Sequence, residues 1–400
     1  MFLHVSEEKN KELGVYHTQK EIVQQPRLWK ETYEYIVQEK KRIQLFFQSV
    51  MEKHKTIKVI LTGAGTSAFV GECLSPYLHK VCDAKIFTIE NIPTTSIVSN
   101  PEYYLDADTP TIMVSFARSG NSPESAASVE LGEQLVKDFY QINITCNKEG
   151  QLAKKSGNNA AALLLLLPED SNDQGFAMTS SFTCMMLCAM LVFQIKDIES
   201  LKNNIDVISA IGERILTSEA DNLEALAKLP FTNIVYLGSG PLSGLSHEAS
   251  LKMLELVGGL VFTAYDSPLG FRHGPKSMIN DQTLVMIMIS SNPYTQKYDL
   301  DMLKELYREK ETVQLKLAAI SGAFVNEAKD NCDYYFYSET EEIVSNGTSL
   351  EDSWLAFPFI LYAQMLAVFK SLHLGFRPDN PCPGGSLNRV VQGVTIYPFQ

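Results

Sequence analysis

The chain has no Cys-x-x-Cys pair, no excess of basic residues and no long uninterrupted apolar run, and each shortage closes off a class of function. Its seven cysteines are scattered over 400 residues, odd in number and without metal-ligand spacing. That pattern speaks against a disulfide frame or a structural zinc site and for reduced thiols in a cytoplasmic protein. With 34 Lys and Arg against 47 Asp and Glu, the formal charge is -13. Nucleic acid is therefore not an expected partner, because a polyanion needs clustered cations. The N-terminus "MFLHVSEEKNKELG" lacks an apolar stretch after a basic start and does not read as a signal peptide. The most apolar segment, Met178 to Ile195, opens on hydroxyl residues and is short for a bilayer span. It is expected to be a buried core helix, so no membrane partner is expected either.

What is present is an alternation of short β-branched runs with helical stretches, the pattern of a parallel sheet covered on both faces. Residues 1–45 read as a helical segment, with Thr18-x-x-Glu21 as a capping box. Then "IKVILTGAGTSAFVGECL" gives strand, glycine turn and helix, followed by strands in "AKIFTIE", "TIMVSF", "QINITCN" and "AALLLLLP". The order repeats: "TNIVYLGSGPLSGLSHEASL" echoes the first segment, "TLVMIMISSNPYTQ" echoes "TIMVSFARSGNSPE", and "LKLAAISG" echoes "QINITCN". Two copies of one α/β unit are expected, at 46–200 and 215–375, with a C-terminal tail at 376–400. Ligands of open α/β sheets bind beyond the carboxyl ends of the strands, so those loops are the places to search.

Gly63-Ala64-Gly65-Thr66-Ser67-Ala68 fits the dinucleotide fingerprint G-x-G-x-x-A, with Glu90 closing the next strand where a ribose-binding acid would sit. A second reading is a phosphate pocket. Thr66 and Ser67 open one helix, and Ser119, Ser122 and Ser125 cluster at the next strand end. Hydroxyls converging from neighbouring strand ends suit a compact tetrahedral anion, whereas pyrophosphate is approached mainly by bare backbone. Taken one at a time, the same serines also read as helix N-caps.

These residues resemble a known family. Gly65-Thr66-Ser67, Arg118-Ser119-Gly120-Asn121-Ser122, "HEASLKMLELVGG", "RHGP" and "NRVVQGVTIY" are similar to the sugar isomerase (SIS) domain family in its doubled form, as in the isomerase half of glucosamine-6-phosphate synthase. Within it the chain resembles the AgaS-type D-galactosamine-6-phosphate deaminase/isomerases, also labelled tagatose-6-phosphate ketose/aldose isomerases. The resemblance implies two tandem SIS domains, each a flavodoxin-like sheet flanked by helices. It implies a phosphate pocket at Ser67, Ser119 and Ser122 with Thr66 close by, a catalytic carboxylate at Glu255, a nearby lysine at Lys252, and a ring-opening histidine at His273, supplied either by the same chain or by a neighbouring subunit. A homodimer or higher homo-oligomer follows. Arg118 stands where the synthase has a glutamine and adds a guanidinium to the loop, and Gln392 replaces the synthase's tail lysine. The tail is expected to close on the active site.

Without the resemblance, Glu248, Lys252 and Glu255 at i, i+4 and i+7 read as a solvated ion-pair stripe. With it, the chemistry is ring opening, transfer of a proton from C2 to C1, and hydrolysis of the resulting imine to ammonia and a ketose phosphate, with neither metal nor redox cofactor required. Plain ketose/aldose isomerisation, glucosamine-6-phosphate deamination and a non-catalytic sugar-phosphate-binding regulator are the alternatives.

Overall fold

A computed structural model describes residues 2–157, 159–340, 350–385, 389 and 393–400. The chain divides into two compact units. One comprises Arg27–Gln174, Met178–Ile205 and Gly384–Gln400, and the other Met1–Pro26, Gly175–Ala177 and Asp206–Pro383.

The first unit is built on five parallel strands, β1 (Ile57–Thr62), β2 (Phe87–Asn91), β3 (Thr111–Ala117), β4 (Phe139–Thr145) and β5 (Ala162–Leu166), in the order β2-β1-β3-β4-β5. Every residue of β3 is buried, as a central strand with helices on both faces requires. One face packs Ile60, Met113 and Ala117 against Val129 and Leu131 of the helix Pro123–Leu135. The expected core helix is present as Ser180–Phe193, with all residues but the last buried.

The second unit repeats the design with β6 (Asn233–Leu237), β7 (Phe262–Asp266), β8 (Thr283–Met288), β9 (Lys316–Ser321) and β10 (Tyr334–Tyr337), in the order β10-β9-β8-β6-β7. Read from the other edge, the two orders are the same 2-1-3-4-5 winding, as the repeat predicts, and it is the flavodoxin-like topology that the family resemblance implies. Its interior holds the helix Asp352–His373, buried from Ser353 to Ser371 and long and apolar enough for a span, but spent on the core. Ser371 Oγ donates to the Leu256 carbonyl at 2.6 Å, tying this helix to the end of the helix Pro241–Leu256.

The expected capping box forms differently. Thr18 lies inside the helix Tyr16–Val23, whose N-cap is Val15 without a side-chain bond. The cap is supplied from the far end of the sequence: Asp379 accepts from His17 N at 3.1 Å, and from Thr18 N and Oγ1 at 2.8 Å each. Glu21 instead accepts from the Gly175 N–H at 3.1 Å. A carboxylate remote in sequence takes the place that a local threonine was expected to fill.

Candidate active-site residues

In an open sheet of this winding the crevice lies where the strand order reverses, beyond the carboxyl ends of β1 and β3. The sequence places a tight glycine turn at the first of these ends. A side chain on Gly63 would fall 2.5 Å from the backbone of Ser67, so only glycine lets the helix Thr66–Val81 start this close to the strand. Gly65 has φ +54° and ψ -130°, a conformation for glycine, and the space beside its Cα is open. Thr66 and Ser67 follow in the first helical turn, 4% and 5% exposed, where the peptide dipoles favour an anion.

At the end of β3, Ser119 is half-buried, and its Oγ accepts from the Asn121 N–H at 3.3 Å. Its carbonyl is held by Asn147 Nδ2 at 2.9 Å, and Gly150 allows the close approach, since a Cβ there would meet the Ser119 oxygen at 2.5 Å. Ser122 is the N-cap of the helix Pro123–Leu135: its Oγ accepts from Ser125 N at 3.3 Å and lies 2.5 Å from Ser125 Oγ. The capping reading therefore applies to Ser122 in this structure, while Ser119 and Ser67 carry no helix-capping bond of that kind. Arg118 is 6% exposed and donates from Nη2 to the Arg389 carbonyl at 2.7 Å, which joins the β3 loop to the C-terminal tail. Gln392 lies outside the described residues. Glu90, the acid a dinucleotide would need, is paired with Lys58 on the neighbouring strand at 2.9 Å.

The second unit carries the acid–base candidates. The corresponding turn, Gly238-Ser239-Gly240, has Gly240 at φ +57° and ψ -125° and opens the helix Pro241–Leu256. The Glu248, Lys252 and Glu255 stripe is not solvated. Glu248 and Lys252 are fully buried, while Leu254 on the same helix is 41% exposed. Lys252 Nζ sits 2.6 Å from Glu255 Oε2 and 3.4 Å from Glu248 Oε1, an arrangement that satisfies a buried ammonium from two sides. Of the two carboxylates, only Glu255 has solvent access, with 19% of its side chain exposed. His247 stacks on Tyr265 with ring centroids 3.7 Å apart. His273 is exposed, on the loop after the short helix Pro268–Phe271. That loop is pinned by Arg272 to Asp301 and Glu305, both at 2.8 Å, and by Lys276 to Glu305 and Glu309.

A family model, SIS domain, matches residues 53–195, the stretch that builds the first sheet. Over nearly the full length, the chain is 41% identical to the D-galactosamine-6-phosphate deaminase AgaS of Shewanella sp. strain ANA-3, covering 99% of this chain and 96% of that one. The chain belongs to the AgaS family of SIS-domain proteins. A solved chain from Clostridium novyi NT, provisionally assigned as a tagatose-6-phosphate ketose/aldose isomerase, matches with 44% identity and TM-score 0.93 over 98% of each chain. The tagatose-6-phosphate ketose/aldose isomerase of Escherichia coli matches with 39% identity and TM-score 0.84 over 96% of each.

In this AgaS-family chain the two sheets differ at their equivalent strand ends. Lys58 pairs with Thr111 in the first sheet and Asn233 with Thr283 in the second, so Ser119 and Ser291, each eight residues on, occupy equivalent strand ends. In the second sheet that end is filled from within. Asp352 accepts from Ser291 N at 2.6 Å, Ser291 Oγ at 2.9 Å and Ser290 Oγ at 2.5 Å. Asp299 accepts from Ser290 N at 2.8 Å and Ser239 Oγ at 2.7 Å. Neither aspartate is visible as a site residue in the sequence, because the partners are 9 and 62 positions from Ser290.

Burial raises the Asp299 carboxyl from 3.8 to about 6, against the lowering effect of its two hydrogen bonds. A folded-state value above the unfolded one means that the folded state holds the proton more tightly. Stability from this group is fully present below about pH 4 and is lost as the pH rises through about 6. Asp299→Asn should therefore flatten the pH dependence of the melting temperature across that window, and an unchanged slope in thermal melts from pH 4 to 7 would refute the assignment.

Proposed function

We propose that the chain is a D-galactosamine-6-phosphate deaminase/isomerase that converts D-galactosamine 6-phosphate to D-tagatose 6-phosphate and ammonia. The observation that carries the reading is the Glu255–Lys252 pair, a partly accessible carboxylate fixed at 2.6 Å by a buried ammonium, in a chain so similar over its length to named deaminases. An amino-aldose phosphate is mostly a closed ring, and His273, an exposed histidine on a pinned loop, is the acid–base group assigned to opening it. Glu255 then takes the C2 proton, and a proton is returned at C1. This turns the open-chain 2-amino aldehyde into the 2-imine of the ketose. Water adds at C2, the C–N bond breaks, and ammonia leaves. Lys252 orients the carboxylate and offsets its charge. Measuring ammonia and ketose separately from galactosamine 6-phosphate and from glucosamine 6-phosphate tests the reading. Ketose–aldose interconversion without ammonia release would replace it by plain isomerisation.

The phosphate is assigned to the first-sheet cradle of Thr66, Ser67 and Ser119, with Ser122 and Arg118 shaping the loop. Binding energy from a phosphate that takes no part in the reaction is available to position a substrate's reacting carbons. Ser119→Ala should weaken sugar-phosphate binding by about 1 to 3 kcal/mol, the usual loss for a hydrogen bond to a charged group. Inorganic phosphate should compete in the unaltered protein. Unchanged affinity for both ligands in a calorimetric titration would leave Ser119 a purely structural residue.

The same proposal makes the protein a homo-oligomer of the cytoplasm. Its support is the exposed apolar surface around the edge strand β7, where Leu260 and Phe262 are 64% and 61% exposed and Leu254, Tyr265 and Leu269 are also open, beside the loop that carries His273. A second copy of the chain covers that surface and receives His273. All seven cysteines are thiols, as suits a reducing compartment.

A further inference from the structure

The first unit holds a cavity of about 770 Å³ for which the proposed reaction has no use. It lies at the end of the sheet away from the serines, against Ile86 and Phe87 at the start of β2. Three helices finish there, Gln25–Met51, Thr66–Val81 and Ser180–Phe193. Its apolar wall includes Phe47, Phe87 and Phe193, which meet edge-to-face with centroids 5.5 to 6.4 Å apart. The rim is acidic: Glu52, Asp83 and Asp197 face it, against the single cation Lys196.

The size is that of a small-molecule site rather than a packing defect, since ligand pockets run from about 300 to 1,000 Å³. Two features fix the sign of the occupant. The carboxyl ends of helices carry partial negative charge, about half an elementary charge each, and the rim acids add to it. An anion would be repelled and a neutral hydrocarbon would gain nothing from the rim, whereas a cation on an apolar body satisfies rim and wall together, with aromatic rings at hand for the ammonium. We propose that this cavity binds an organic ammonium compound, an amine carried on a ring- or chain-sized apolar body. The helix Thr66–Val81, 16 residues long, begins in the phosphate cradle and ends at the cavity. At 1.5 Å per residue that is a separation of roughly 24 Å, so the two ligands do not compete.

Calorimetric titration of the whole protein with 4-phenylbutylamine and with 4-phenylbutyrate tests this. The amine is expected to bind one site per chain at least about tenfold more tightly than the carboxylate, a difference near 1.4 kcal/mol, and saturating inorganic phosphate should leave it undisturbed. Gln48→Trp, an exposed wall position where an indole fills the mouth, should weaken the amine by about tenfold or more. Asp83→Asn combined with Asp197→Asn should bring the two probes to within about threefold of each other. All three positions are at the surface, so the variants fold, which thermal melts would verify. No saturable amine binding, equal affinity for the two probes in the unaltered protein, or displacement of the amine by phosphate would overturn the proposal, the last by placing the probe in the sugar-phosphate site.

Discussion

Glu255→Gln is expected to fold, to bind sugar phosphate with unchanged affinity, and to lose turnover by at least about 10²-fold. The reasoning starts from what the amide keeps. Its carbonyl oxygen can still accept from Lys252, and Lys252 retains Glu248 at 3.4 Å, so the buried ammonium is not stranded. What the amide lacks is basicity, and only the proton-transfer step uses that. Substrate deuterated at C2 should exchange its label with water in the unaltered enzyme and keep it in the variant. A purely structural ion pair predicts the reverse: a lower melting temperature, with the folded fraction still exchanging label. Near-normal exchange by folded Glu255→Gln protein would send the search for the base to Glu248 or to His247, which is stacked on Tyr265.

The second large effect is a recovery. Glu255→Gln and His273→Ala should each be nearly inactive alone, yet a mixture that has exchanged subunits should regain activity. If each site combines Glu255 of one subunit with His273 of another, a mixed dimer has one site with both groups intact and one with neither. Random exchange at equal amounts makes half the dimers mixed, so about a quarter of the normal activity should return. Because the two residues lie in one unit of the chain, their separate contributions are not otherwise distinguishable by truncation. Exchange demonstrated by mass, with no recovery of activity, would place His273 and its Glu255 in the same subunit.

The central strands were legible because burial on both faces leaves continuous apolar runs, as in "VILT", "IMVSF" and "LVMIM", and because the whole pattern occurs twice. The edge strands of the second sheet were not, although those of the first, in "AKIFTIE" and "AALLLLLP", were. β7 reads "FTAYD" and β10 reads "YYFY"; an edge strand is only half covered, and its composition follows the neighbours it lacks. The glycine turn and the serines were legible as local chemistry, since a tight strand-to-helix turn needs glycine whatever surrounds it. The character of the helix Pro241–Leu256 was not. Taken alone, its charges at i, i+4 and i+7 belong in water, and its leucines inside. In the fold Glu248 and Lys252 are buried as well, while Leu242, Leu245 and Leu256 stay inside and Leu254 is exposed, on a helix fastened at Leu256 to the helix Asp352–His373, about a hundred positions further on. The resemblance to the SIS family supplied Glu255 where periodicity alone pointed to solvent. Asp379 capping the helix at Tyr16, and Asn147 holding Ser119, were out of reach for the same reason: each acts on a residue far away in sequence.

The two aspartates at the second sheet's crevice change what the duplication means. A tetrahedral anion and a carboxylate ask for much the same thing, a few N–H and O–H donors at a strand end, and Asp352 has already claimed those of Ser290 and Ser291. The copied half thus carries a permanent tenant, tethered at the start of the helix Asp352–His373. Its crevice acts as a rivet that fastens this helix to the end of β8. Substitution in that loop is therefore expected to register in folding stability, whereas under the proposed phosphate assignment substitution of Ser119 registers in ligand affinity.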